Sequence, residues 1–178
     1  IPKKPFSYSI SIVDKIDTLV GFFVIDEKPT SSKDPFALRR AAIGLLRIII
    51  ENKLSFKLRD LISYAIRLYQ EQGVEIKNEK TEQQVLEFIK ERMRNVLKLK
   101  NIKTDVIEAS ISSHAGDNFL ALYAKTLLMN KYKNKGIGLN AINSYKRASN
   151  ILDKAGKRIT GRPDAVLFRK DEEKILHE

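Results

Sequence analysis

Residues 131–162 concentrate the chemistry this chain can offer. Nine cations stand there, Lys131, Lys133, Lys135, Lys146, Arg147, Lys154, Lys157, Arg158 and Arg162, against one acid, Asp153. Tyr132, Tyr145 and Asn150 are interleaved with them. A local cationic excess draws polyanions and releases counterions when a phosphate backbone binds. Aromatic faces stack unpaired bases while Lys and Arg meet the phosphates. Arg147 and Arg158 add forked contacts to phosphate or to a base edge that lysine cannot make. Tyr145 is in phase with Ile142 and Leu152 and reads as core, whereas Tyr132 lies beside a loop and is open to either role. A membrane is the poorer partner, because no helix pairs a strong basic face with an aromatic insertion face.

The remaining reactive residues assemble no active site. The two histidines, His114 in a loop and His177 near the end, have no second ligand at metal spacing, and there is no cysteine. No glycine-rich phosphate loop, nucleophile elbow or kinase signature is present. Asp14 and Asp17 stand one helical turn apart and read as solvated helix charge. The expectation is a chain with no catalytic residue, no metal and no cofactor of its own.

The 178 residues are 43% hydrophobic and 31% charged, with a net charge of +11. That describes a globular chain of one domain or two small ones. No apolar run approaches the roughly 18 residues needed to span a bilayer. Without cysteine the chain fits a reducing cytoplasm. It begins at Ile1 without Met and reads as a fragment.

The elements that must position these residues are helical almost throughout. Ile12, Ile16, Leu19 and Phe23 recur at helical steps. After the loop "DEKPTSSK", Asp34 and Pro35 predict a helix start that runs to about Asn52. Phe36, Ile43, Leu46 and Ile50 share one face of it, widened by Leu38, Leu45 and Ile49. A further helix in "FKLRDLISYAIRLYQEQG" stops at Gly73, a natural left-handed end. Polar residues 74–80 mark the expected domain boundary. Thr81 to Gln84 reads as a capping box. Val85, Ile89, Met93, Val96 and Leu97 are expected inside, and Lys90, Arg92, Arg94 and Lys98 outside. A short helix over about 104–113 follows, then one from Phe119 to about Tyr132 with Asp117 as its cap. The helix over 139–154 is expected to turn Ile142, Tyr145, Ser149 and Leu152 inward and Lys146, Arg147 and Asn150 outward. Gly156 ends it, and a last helix starts near Asp164. Successive helices with short links predict an all-α antiparallel bundle.

Several of these stretches carry a resemblance. "IVDKIDTLVGFF", "KDPFALRRAAIGLLRIIIE", "FKLRDLI", "VLEFIKERMRNVLK", "SYKRASNILDKA" and "PDAVLFRKDEEKIL", taken together, resemble the beta subunit of the bacterial heterotetrameric glycyl-tRNA synthetase over nearly all of the chain. The joined "DKIDTLVG" and "KDPFALRRAA" are the specific part. "DKAGKRITGRPDAV" and "KYKNKGIGLNAIN" depart from the family pattern, the first by its extra basic residues.

The resemblance implies a C-terminal portion of that subunit. Residues 1–73 would be the end of an HD-like domain and its helical body, 74–80 a linker, and 81–178 an anticodon-binding domain like that of arginyl-tRNA synthetase. It implies tRNA(Gly) and the alpha subunit, in an alpha2beta2 assembly, as partners, with ATP used on the alpha subunit. Asp14 matches the last acidic ligand of HD-domain metal sites, but the partner His and His-Asp are absent, so no metal is assigned. Candidate tRNA contacts are Lys131, Tyr132, Lys133, Lys135, Lys146, Arg147, Asn150, Lys154, Lys157 and Arg158. Arg39 and Arg40 of "ALRRAA" either lock their helix to neighbouring acids or carbonyls or present charge to the tRNA. The competing readings are an HD-type phosphohydrolase fragment and a basic helical scaffold that docks an acidic protein.

Overall fold

A computed structural model describes residues 1–30, 33–114, 116–133 and 135–155, without the side chains of Ile137 and Ala155. The described residues form helices and no strand: α1 (Pro5–Val24), α2 (Leu38–Glu51), α3 (Leu58–Glu71), α4 (Thr81–Lys98), α5 (Thr104–Ser112), α6 (Phe119–Lys133) and α7 (Gly136–Ala155). The all-α expectation holds. Residues 1–133 make one compact unit, and the chain from 134 onward makes a second, to which α7 belongs. The expected last helix near Asp164 and the stop at Gly156 lie outside the described residues.

In the first unit, α1 buries Ile12, Ile16, Leu19 and Phe23, the face its periodicity predicts. It runs antiparallel to α2. At one end Lys3 Nζ lies 3.5 Å from the Glu51 carboxylate, and Asn52 donates to the Pro2 carbonyl at 3.1 Å. At the other, the Phe22 and Phe36 rings stack at 3.9 Å. Tyr69 of α3 reaches α1, where its hydroxyl donates to Asp17 Oδ1 at 2.9 Å. A Cβ on Gly21 would lie 2.5 Å from that hydroxyl, so this approach requires glycine. α4 packs against α1, α2, α3 and α5 and buries Val85, Leu86, Ile89, Met93 and Leu97. Residues 74–80 connect α3 to α4, and Lys77 N–H donates to the Val24 carbonyl at 3.1 Å.

Helix ends differ from the sequence expectations in instructive ways. α2 starts at Leu38, not Pro35. Asp34 still accepts from first-turn amides, Leu38 N at 2.8 Å and Arg39 N at 3.1 Å, but across a turn that places Ala37 at φ 55°. Phe36 therefore leaves the α2 face and stacks on Phe22 instead. Thr81 is inside α4 and fully buried; its hydroxyl donates to the Asn78 carbonyl at 2.6 Å, so no capping box forms. Asp117 caps α3 rather than α6, accepting from Arg59 N at 2.8 Å, while Asn118 accepts from Ala121 N at 3.0 Å at the start of α6. Arg92, expected outside, has a side chain only 13% exposed and lies over the Phe88 ring at 4.5 Å.

Helices α1 to α4 all end in the same doubly bonded turn with a left-handed residue: Asp26, Lys53, Gly73 and Asn101. Around Lys53, for example, Leu54 N–H donates to the Ile49 carbonyl at 2.9 Å and Lys53 N–H to that of Ile50 at 3.2 Å. Only Gly73 adopts this conformation without steric cost. Replacing the exposed Lys53 by glycine is expected to stabilise the fold by about 0.5–1 kcal/mol in urea unfolding; a loss of stability would contradict the cap.

Burial first, then the hydrogen bond to Asp17, push the Tyr69 hydroxyl from 10.0 up to about 12. A raised folded-state value stabilises fully below the unfolded value and is lost as pH rises through the folded one. The urea midpoint is expected to fall between pH 10 and about 12, and Tyr69→Phe to remove part of that fall. Identical alkaline profiles for the two proteins would refute the coupling.

Candidate nucleic-acid interface

α7 carries the basic residues singled out by composition, and its helical geometry sorts them. Asn140, Asn143, Arg147, Asn150 and Lys154 follow one another at steps of three and four, which places them on one face. All five are exposed, and exposed Lys146 borders the strip. Arg147 supplies a planar fork for phosphate or a guanine edge, the asparagine amides match base edges, and the lysines supply point charge. Asn140 and Asn143 were not among the sequence candidates. Their register with Arg147 was the available signal, but a charge count passes over neutral amides.

The other side of α7 corrects the sequence expectation. Ile142, Tyr145 and Leu152 were expected inward, yet all are exposed, Tyr145 to 74%; Ser149 is half-buried. None of the described side chains of α7 is buried. Periodicity detects that a helix has an apolar side, not whether another surface meets it. Tyr145 and Arg147 also stand on opposite sides of the helix, two residues being about 200° of rotation. Rings and cations interleaved in sequence are thus separated in space here.

At the end of α6, within the first unit, the arrangement differs. Lys131 Nζ lies 5.7 Å from the centroid of the Tyr132 ring, and Tyr132 is 48% exposed. Lys133 is paired with Asp105 of α5. That hydrogen bond, more than any other influence, holds the Asp105 carboxyl below its ordinary value. One nominal cation of the cluster is therefore spent inside the fold. Lys135 is exposed. Lys157 and Arg158 lie outside the described residues.

The "ALRRAA" arginines divide their tasks. Arg39 donates from Nη2 to the Thr30 carbonyl and so ties α2 to the loop before it. Arg40 is exposed. Asp14 is 3.7 Å from Lys15, and no group of three or more acidic or histidine side chains among the described residues is placed to hold a metal. His114 is half-buried, and its Nε2 has no hydrogen-bond partner. Burial and the nearby Lys125 push its pKa down, which favours the neutral ring.

Comparison with known proteins places this sequence in a family. Residues 1–112 match the model of the glycyl-tRNA synthetase beta subunit. Over 167 residues, 94% of the chain, it is 39% identical to the glycine–tRNA ligase beta subunit of Rickettsia canadensis (strain McKiel). It is 34% identical over 89% of the chain to that of Ruegeria sp. (strain TM1040), and 38% identical over 95% to that of Rickettsia africae (strain ESF-5). The chain spans 24%, 21% and 24% of the lengths of these three relatives. A likeness over 94% of the chain cannot omit α6 or α7. The chain belongs to the glycyl-tRNA synthetase beta-subunit family.

Proposed function

We propose that this chain is a tRNA-binding part of the beta subunit of a cytoplasmic glycine–tRNA ligase, and that it meets tRNA(Gly) on the anticodon side. In this reading residues 1–73 end an HD-like domain and its helical body, 74–80 link, and 81–178 form an anticodon-binding domain whose first helices, α4 to α6, pack with that body in one compact unit. ATP-dependent activation of glycine belongs to the alpha subunit of an alpha2beta2 enzyme, and this chain contributes binding rather than bond-making. The observation that carries the reading is the exposed strip Asn140–Asn143–Arg147–Asn150–Lys154 on a chain of this family.

The division of labour follows from side-chain chemistry. Lys146 and Lys154 attract the phosphate backbone and set the salt dependence of binding. Arg147 fixes register by a forked phosphate contact. The asparagine amides read base edges, where discrimination is worth about 1–3 kcal/mol per base. Lys131 and Tyr132 offer a ring with a cation beside it, suited to an unpaired base. Arg40 is placed for a phosphate contact of its own.

In the intact alpha–beta enzyme, Arg147→Gln with Lys154→Gln is expected to raise KM for tRNA about tenfold or more and to flatten the log–log salt slope by about 2. KM for glycine and ATP should not move. The melting temperature should also hold, because both side chains are exposed. Unchanged aminoacylation kinetics would sink the proposal. Asn143→Ala and Asn150→Ala separate base reading from charge: a loss that depends on the anticodon sequence supports it, and a uniform or absent loss does not.

A further inference from the structure

A groove of about 330 Å³ opens on the first unit between α2, the end of α4, and α6. Its apolar lining is mostly aliphatic, Ile43 and Ile50 from α2 and Val96 and Leu99 from α4 and its end, with Tyr123 of α6, half-buried and packed against the core, as the one aromatic side chain. Leu99 is 84% exposed. A leucine so placed contributes little to folding, since the hydrophobic gain requires removal from water. The rim is cationic, with Arg47 on one wall and Lys100 on the other. Lys98 and Lys103 flank Lys100 along the chain, and both are exposed. The acid on the wall, Glu51, is already engaged, with Arg47 Nη2 at 3.4 Å from one carboxylate oxygen and Lys3 Nζ at 3.5 Å from the other.

We infer that this groove docks an acidic amphipathic helix of a partner protein, which inserts aliphatic or aromatic anchors between α2 and α4 and sets its carboxylates against Arg47 and Lys100. The volume lies at the low end of the ~300–1,000 Å³ typical of binding pockets, room for anchor side chains rather than a whole domain. Helix-in-groove recognition uses apolar anchors at i, i+3 and i+7 with charge at the edges. Charge complementarity selects the partner. A second copy of this chain is a poor occupant, because it carries a net charge of +11 and would bring one cationic rim to another. RNA is a poor occupant as well: Ile43, Ile50, Val96 and Leu99 offer a nucleobase neither a stacking face nor a hydrogen bond, and the one aromatic wall, Tyr123, is half-buried against the core. This surface is separate from the α7 strip and does not rest on it.

The test uses the full 178-residue chain and three labelled synthetic peptides. One is glutamate-rich with leucines at i, i+3 and i+7; one is its scramble; in one, lysine replaces glutamate. The ordered acidic peptide is expected to bind about tenfold or more tighter than the scramble, to shift the methyl signals of Ile43, Val96 and Leu99, and to be insensitive to Arg147→Gln. The lysine peptide should not bind. Leu99→Asp and Lys100→Glu should each weaken the ordered peptide about tenfold at an unchanged melting temperature. Equal binding of the scramble would overturn the inference. So would groove methyl shifts produced by a short single-stranded RNA but by none of the peptides, self-association through Leu99, or no peptide binding.

Discussion

The first unit depends on the burial of one stripe. Val85, Ile89, Met93 and Leu97 recur along α4 at steps of four, and none retains meaningful contact with water. Because α4 touches α1, α2, α3 and α5, its stripe is the common floor on which those helices rest. Truncating any such side chain to alanine costs about 2–5 kcal/mol in a well-packed core, a large part of the stability of a small domain. Polar contacts decorate this floor rather than replace it. Arg59 and Ser63 of α3 both meet Glu82 at the start of α4, and Arg94 holds Glu108 of α5 at 3.0 Å. Both pairs are partly exposed, where ion pairs contribute about 0–1 kcal/mol. They fix angle and register more than stability.

Charge on this chain has two fates. Lys133, Arg39 and Arg94 have partners inside the fold, a carboxylate, a carbonyl and a carboxylate respectively. Arg147, Lys146 and Lys154 stand on an exposed helix. Net charge counts both kinds alike, yet only the second can meet a phosphate backbone without first breaking a bond. Arg92 combines the two: its Nη2 lies 3.7 Å from the Glu91 carboxylate, while its guanidinium carbon sits 4.5 Å from the centre of the Phe88 ring and its Nε has no hydrogen-bond partner, so the side chain packs as well as carries charge.

Core-facing positions were legible in the sequence because burial follows helical period, and α1 and α4 obey it along their length. Turns were legible only where side chains act locally. Asp34 does accept first-turn amides, although the helix begins three residues later than Pro35 suggested. Asp117 was misassigned because its capping partner is remote in sequence. Thr81 and Gln84 have the spacing of a capping box, but Asn78 captures both side chains, and no spacing rule weighs that competitor. Three of the four left-handed helix ends use residues other than glycine and left no mark. At the candidate interface the basic residues were readable from composition. The asparagine register needed the helix itself, and the exposure of Tyr145 depends on what does or does not cover α7, which no period encodes.

The remote capping of α3 bears on how the chain comes off the ribosome. The amide of Arg59 is met by a carboxylate made 58 residues later, and that of Leu58 by the carbonyl of the same residue. While translation proceeds from the amino end, α3 must wait with an unfinished first turn until the segment before α6 has emerged. A ribosome paused between α4 and α6 would therefore present a nascent chain whose third helix frays at its leading edge, and the arrival of Asp117 completes both ends of that work in one step.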